Sequence, residues 1–241
     1  SGNQVGWTAV NLRTGETIWT ANTTDILRYG QILNMVNPNQ FGGIPYLWAV
    51  PSGQGGLGAS PNTYKMYDAM TGQYILSIVN ATGMSVLSDA GGNLIGYYIN
   101  NSRANQWGTP TLNCWNSTQA ILYPDSQYIK GTTSDSWSWR PRQGGEIDFK
   151  RGVMWTVPIA TNLTTGAFPE GSSLSINRVD GGVVLMSATG AAYYNIGWQA
   201  DAAYSAEDGR QLWITNRTLT AFAREQVTKS GYGLYFYIEA A

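Results

Sequence analysis

Apolar residues in this chain come in short runs, rich in aromatic and β-branched side chains and cut by glycine-bearing turns, with only weak apolar-polar alternation. Short runs of this make-up predict strands. The weak alternation points to strands covered on both faces, because a strand between two other sheets loses the in-out pattern of a half-solvated one. Plain strand pairs are predicted within residues 43–50, 84–99, 174–188 and 223–238, with turns that carry Gly-Gly, Asp-Gly or Ser-Gly.

A second kind of hairpin recurs between them. Residues 9–19 (AVNLRTGETIW), 66–76 (MYDAMTGQYIL) and 203–213 (AYSAEDGRQLW) share one frame, which reads A-x-N-x-x-T-G-x-x-x-W in the first copy and takes Asp68 at its third place in the second. Gly15, Gly72 and Gly209 fall in register, with Trp19, Leu76 and Trp213 four places beyond. A glycine at such a turn takes a positive φ at little cost. A more degenerate copy is expected at residues 112–122, with Ser117 and Thr118 in the Thr-Gly places. Its second strand is either the end of that stretch or the later residues 152–159.

With the plain hairpin named A-B and the Thr-Gly-Trp hairpin C-D, the chain begins with C-D and ends with A-B. Three complete four-strand units lie between, at about residues 31–80, 84–159 and 174–216. The middle unit is stretched by an insertion at about 123–150, and the glycine-rich residues 51–62 form a long B-to-C loop. Four-stranded antiparallel units at this spacing match the blades of a β-propeller. The expected fold is all-β, a single propeller domain or segment over residues 1–241 with about four blade-equivalents. It is a ring closed by joining the two terminal halves as one sheet, a segment of a larger propeller, or part of a ring completed by a second copy.

Composition narrows the chemistry. Charged residues make up 12% of the chain, about half the usual fraction of roughly 25%, so the surface is mostly neutral and polar. The net charge of −1 and the lack of any Lys/Arg run give no footprint for nucleic acid. The chain has no histidine, which removes the usual general base near neutral pH, and its single cysteine, Cys114, cannot form an internal disulfide. Flanked by Leu112 and Trp115, Cys114 reads as a small buried hydrophobe. No apolar stretch is long enough to span a membrane, and the first residues lack the pattern of a signal peptide.

The A-x-D-x-x-T-G-x-x-x-W frame resembles the tryptophan-docking motif of the pyrroloquinoline-quinone-like propeller family, which includes quinoprotein alcohol dehydrogenases and non-enzymatic outer-membrane scaffolds. The resemblance implies that Trp19 and Trp213, with Leu76 a weaker substitute, fasten each blade to its neighbour. Asn11 and Ser205 depart from the motif by standing where the family has Asp. Enzymes of that family hold calcium beside the quinone and use an Asp base, and some stack an adjacent-cysteine disulfide on the cofactor. A lone Cys114 excludes the disulfide. The carboxylates are scattered, and the closest pair, Glu146 and Asp148, reads as a solvated pair rather than a site. No catalytic, cofactor or metal residue is assigned.

Two features remain as candidate surfaces. In the insertion, Trp137 and Trp139 with Arg140 and Arg142 have the make-up of an interface or a carbohydrate platform. Asn-x-Ser/Thr occurs at Asn22, Asn80, Asn100, Asn116, Asn162 and Asn216. Asn22, Asn80 and Asn216 stand seven or eight places past the turn glycines, just beyond strand D, which is the outermost strand of a blade. Sugars there would sit on an exposed rim and place the protein outside the cell. The expected protein is a non-enzymatic, secreted or cell-surface glycoprotein, archaeal-like, that binds other subunits or other blades. The alternatives are part of a quinoprotein-like enzyme whose active site is outside this chain, and a glycan-binding propeller.

Overall fold

The computed structural model describes residues 6–37, 40–53, 62–100, 109–122, 141, 143–161, 167–168, 174–190, 197–219 and 226–238. The fold is all-β with one short helix. Strands β1 (Trp7–Val10) and β2 (Thr17–Ala21) form a two-stranded sheet. Next comes an antiparallel meander of β3 (Ile26–Asn37), β4 (Gln40–Val50), β5 (Thr63–Asp68) and β6 (Tyr74–Val79). A second sheet begins with β7 (Ser85–Ser88), β8 (Leu94–Asn100) and β9 (Thr111–Asn116). The chain then passes through helix α1 (Ser117–Leu122) and strand β10 (Gly145–Asp148) before β11 (Val153–Pro158) completes that sheet beside β9. Strands β12 (Leu174–Asp180), β13 (Val183–Gly190), β14 (Gly197–Ser205) and β15 (Gln211–Leu219) form the third, and β16 (Gln226–Gly231) pairs with β17 (Leu234–Ile238). The chain divides into two compact units, Ser1–Ile95 with Asn116–Val153, and Gly96–Trp115 with Met154–Ala241.

Burial follows strand position. The inner strands β6, β9 and β14 are buried along nearly their whole length on both faces, whereas the edge strands β1, β11 and β12 alternate between half-buried and exposed. This is the origin of the weak alternation in the sequence.

The three C-D hairpins are built alike, bond for bond. The first residue of the frame faces the last: Ala9 pairs with Trp19, Met66 with Leu76 and Ala203 with Trp213, and each register slips at the following residue. Asn11, Asp68 and Ser205 occupy one place. From it a side-chain oxygen accepts the backbone N–H groups two and three residues on, of Arg13 and Thr14, Met70 and Thr71, and Glu207 and Asp208. In each turn the glycine N–H returns to that same residue's carbonyl at 2.8 to 2.9 Å. The glycines take φ of +76°, +72° and +74°, the left-handed region in which a Cβ is disfavoured. The departures at Asn11 and Ser205 leave the turn unchanged because it needs only an acceptor oxygen on a short side chain.

The structure corrects three expectations. In the fourth copy the acceptor place belongs to Asn116, whose Oδ1 accepts the N–H of Thr118 and of Gln119, so the frame lies two residues later than the sequence alignment put it. Four places on stands Ala120 instead of glycine, and the chain continues into α1 rather than turning back. The insertion is not wholly outside the sheets: β10 adds to β6 in parallel, Gly145 opposite Leu76 through Asp148 opposite Val79, and makes β6 an inner strand. Asn80 therefore does not follow an outermost strand, and Asn216 lies within β15 rather than beyond it. Among the described residues, β1–β2 and β16–β17 each form a two-stranded sheet.

A Cβ on Gly72 would stand 2.6 Å from the ring of Trp19, whereas no described residue comes within 4 Å of that position on Gly15. Gly15→Ala should cost only the left-handed backbone term of about 1–2 kcal/mol. Gly72→Ala should add the displacement of a packed ring and reach about 2–4 kcal/mol. Thermal unfolding of the two variants compares them directly, and equal losses would show that the ring contact contributes nothing.

Candidate functional site

The contacts made around these turns are the most specific feature of the chain. In the first unit, the ring of Trp19 on β2 lies flat enough on Gly72 to leave no room for a Cβ, and its Nε1 donates to the Ala69 carbonyl at 3.0 Å. Nearby, Trp7 donates from Nε1 to the Asp25 carbonyl at 3.0 Å and meets Tyr67 edge-on, with ring centroids 4.8 Å apart. In the second unit, Trp155 on β11 covers Gly209 in the same way, at 2.6 Å from a Cβ built there. Its Nε1 has no hydrogen-bond partner among the described residues. The carbonyl equivalent to that of Ala69, on Ala206, instead accepts the Tyr97 hydroxyl at 2.9 Å. Trp155 was not expected as a docking residue. Its signal was the later strand GVMWTVPI, separated from its own hairpin partner β9 by the insertion.

Among the described residues, Trp213 has no glycine beneath it. Its ring stacks on Tyr235, with centroids 5.6 Å apart and planes 16° apart, and it is 38% exposed. It borders a pocket of about 130 Å³ that Val183, Leu185, Leu234 and Tyr235 also line. Leu76 is buried between Met66 on β5 and Gly145 on β10.

Of the asparagines in glycosylation sequons, Asn22, Asn80, Asn100 and Asn216 are exposed and Asn116 is half-buried at the head of α1. Asn80 donates from Nδ2 to Asp148 at 2.9 Å. Asn162, together with Trp137, Trp139, Arg140 and Arg142, lies outside the described residues.

The titratable groups serve the scaffold. Asp148 caps a 3-10 turn by accepting the Lys150 N–H at 3.0 Å, and Glu146 is exposed. Buried Asp25 accepts from Lys65 Nζ at 2.9 Å and from the Tyr67 hydroxyl. Burial, and then the bond to Asp25, push the Tyr67 hydroxyl well above its ordinary pKa, the opposite of what a catalytic tyrosinate needs. Asp201 is fully buried and paired with Arg217, with Gln199 Nε2 donating to it at 3.1 Å. A buried relay runs from Trp48 Nε1 to Gln31 Oε1 at 2.8 Å, then from Gln31 Nε2 to Ser117 Oγ at 2.9 Å. Ser117 Oγ also accepts the Leu94 N–H at 3.0 Å. Among the described residues, no three His, Cys, Asp or Glu side chains come together as a metal site, and no helix is long and apolar enough to cross a membrane.

No family model and no curated protein matches the chain. What can be said of its function rests on the repeated turn, the rings that cover it and the exposed asparagines.

Cys114 is buried in β9, and burial pushes its thiol up to about 11. At pH 8 the thiolate fraction is then roughly one part in a thousand. Iodoacetamide is expected to leave Cys114 unlabelled in the folded protein and to modify it fully in denaturant, read by intact mass. Rapid labelling of the native state would mean that β9 opens readily.

Proposed function

We propose that this chain is a non-enzymatic, secreted or cell-surface β-propeller module of the tryptophan-docking, pyrroloquinoline-quinone-like kind, N-glycosylated and serving structure or protein interaction. The observation that carries the reading is the ring-on-glycine contact made twice with the same turn, Trp19 on Gly72 and Trp155 on Gly209. Each of the two contacts joins a strand to the next sheet in chain order, and blades joined to their neighbours in series are how a propeller is assembled. Buried Gln31, Asp201 and Asp25 are spent on relays and pairing within the scaffold, which favours an interaction module over an enzyme.

The asparagine positions support an exterior location. Asn22 directly follows β2, and Asn216 is exposed on β15, an edge strand of its sheet. A sugar beside an edge strand also hinders pairing with another chain.

Glycopeptide mass spectrometry of protein from its native source tests the reading. Asn22 and Asn216 are expected to be the most fully modified. Asn80 should be less so, because its Nδ2 is engaged by Asp148, and Asn116, half-buried at a helix start, should be bare. Unmodified Asn22 and Asn216 would remove the glycoprotein reading.

A further inference from the structure

The third sheet and the β16–β17 pair line one pocket whose walls all belong to the second compact unit. Register puts Arg178 opposite Leu185 and Asp180 opposite Val183, and carries the same face of the sheet across Ala203 to Trp213. On the other side, Ser230 of β16 and Tyr235 of β17 stand opposite each other. The Ser230 hydroxyl donates to Asp180 at 2.8 Å and the Tyr235 ring stacks on Trp213, so two posts tie the pair to the sheet. Residues of both posts line the pocket, which holds about 130 Å³.

The walls divide by chemistry. Val183, Leu185, Leu234 and the two rings are apolar. The volume is close to the roughly 150 Å³ of an apolar cavity that takes up a benzene ring, so it fits one ring or one branched aliphatic group. Arg178 and Asp180 stand two places apart on β12, an edge strand, and bring opposite charges to the same pocket. They do not pair with each other. Among the described residues Arg178 makes no ion pair or hydrogen bond, and the Asp180 side chain has only the hydroxyl of Ser230.

We propose that this pocket binds a free apolar α-amino acid, with its side chain against Leu185, Leu234 and Trp213, its carboxylate on Arg178 and its ammonium group on Asp180. The two charges select the ligand. A simple anion gains Arg178 but meets Asp180, and a simple cation does the reverse, whereas a zwitterion satisfies both. A guanidinium takes a carboxylate through two parallel N–H bonds. Ser230 occupies one oxygen of Asp180 and leaves the other for the ammonium group. Removing the apolar side chain from water supplies the remaining attraction, and phenylalanine and leucine match the volume. The site goes beyond the interaction-module reading and needs neither the propeller nor the glycans, so each can fail without the other.

Titration calorimetry of the full chain tests it. L-phenylalanine and L-leucine should bind, and glycine, which carries both charges and no apolar group, should bind about tenfold or more weakly. N-acetyl-L-phenylalanine lacks the ammonium charge and L-phenylalaninamide lacks the carboxylate, so each should also lose about tenfold. These probes need only the wild-type protein. Arg178→Gln, at an exposed position, should weaken L-phenylalanine by about the same factor and should not weaken L-phenylalaninamide, which makes no use of the guanidinium. Far-ultraviolet circular dichroism like that of wild type shows that the variant folds.

Absence of binding by L-phenylalanine and L-leucine up to about 10 mM overturns the proposal, and a pocket filled by another part of the chain would give that result. Acetylated or amidated phenylalanine that binds as tightly as the free amino acid overturns it too. So does folded Arg178→Gln protein that binds L-phenylalanine as wild type does.

Discussion

A tryptophan ring lies directly on a glycine backbone at Gly72 and at Gly209, and this contact needs two conditions together. The backbone must turn through the left-handed region, and the turning residue must carry no Cβ, because a side chain there would meet the ring at 2.6 Å. Glycine alone meets both at little cost. The acceptor oxygens of Asp68 and Ser205 hold the turn by taking two N–H groups each, so the surface offered to the ring is held by local bonds that do not involve the ring.

The polar interior follows from the same arrangement. Strands β6, β9 and β14 are covered on both faces, so a charge on them has no route to water and must find a partner. Asp201 on β14 is matched by Arg217 on the adjacent β15 and by Gln199 on its own strand. Asn113 on β9 accepts the Thr156 hydroxyl from β11 at 2.7 Å and donates back to Thr111. Neutral pairs such as Asn113 with Thr156 are cheaper to desolvate than ion pairs.

The hairpin frame was legible in the sequence because it is local: cap, glycine and final residue lie within eleven positions, and the bonds among them span no more than five. The tolerance of Asn11 and Ser205 was also local, but visible only once the bond was seen to use a single oxygen. What could not be read was non-local. Trp155 lies in residues 152–159, which the sequence offered as one of two second strands for the hairpin that ends at Asn116, and nothing between them decides the choice. Strand β10 was unreadable for a second reason. A parallel partner is reached only by a long crossover, and four residues with one buried face carry too little pattern to announce it.

The irregular copy of the repeat shows how the series tolerates a lost contact. In chain order Leu76 is the donor that should meet the turn capped by Asn116, and the glycine place in that turn is Ala120. The missing tryptophan and the missing glycine thus fall at one junction. Without glycine the backbone cannot turn back cheaply, and the cap that closes the other turns instead starts α1, since an oxygen taking the N–H groups two and three residues on is equally a helix cap. The detour brings β10 beside β6, where four consecutive residue pairs from Gly145–Leu76 to Asp148–Val79 replace the ring contact with main-chain hydrogen bonding. A leucine suits an inner strand flanked on both sides. The two departures from the repeat are therefore a single change, in which side-chain docking gives way to strand addition.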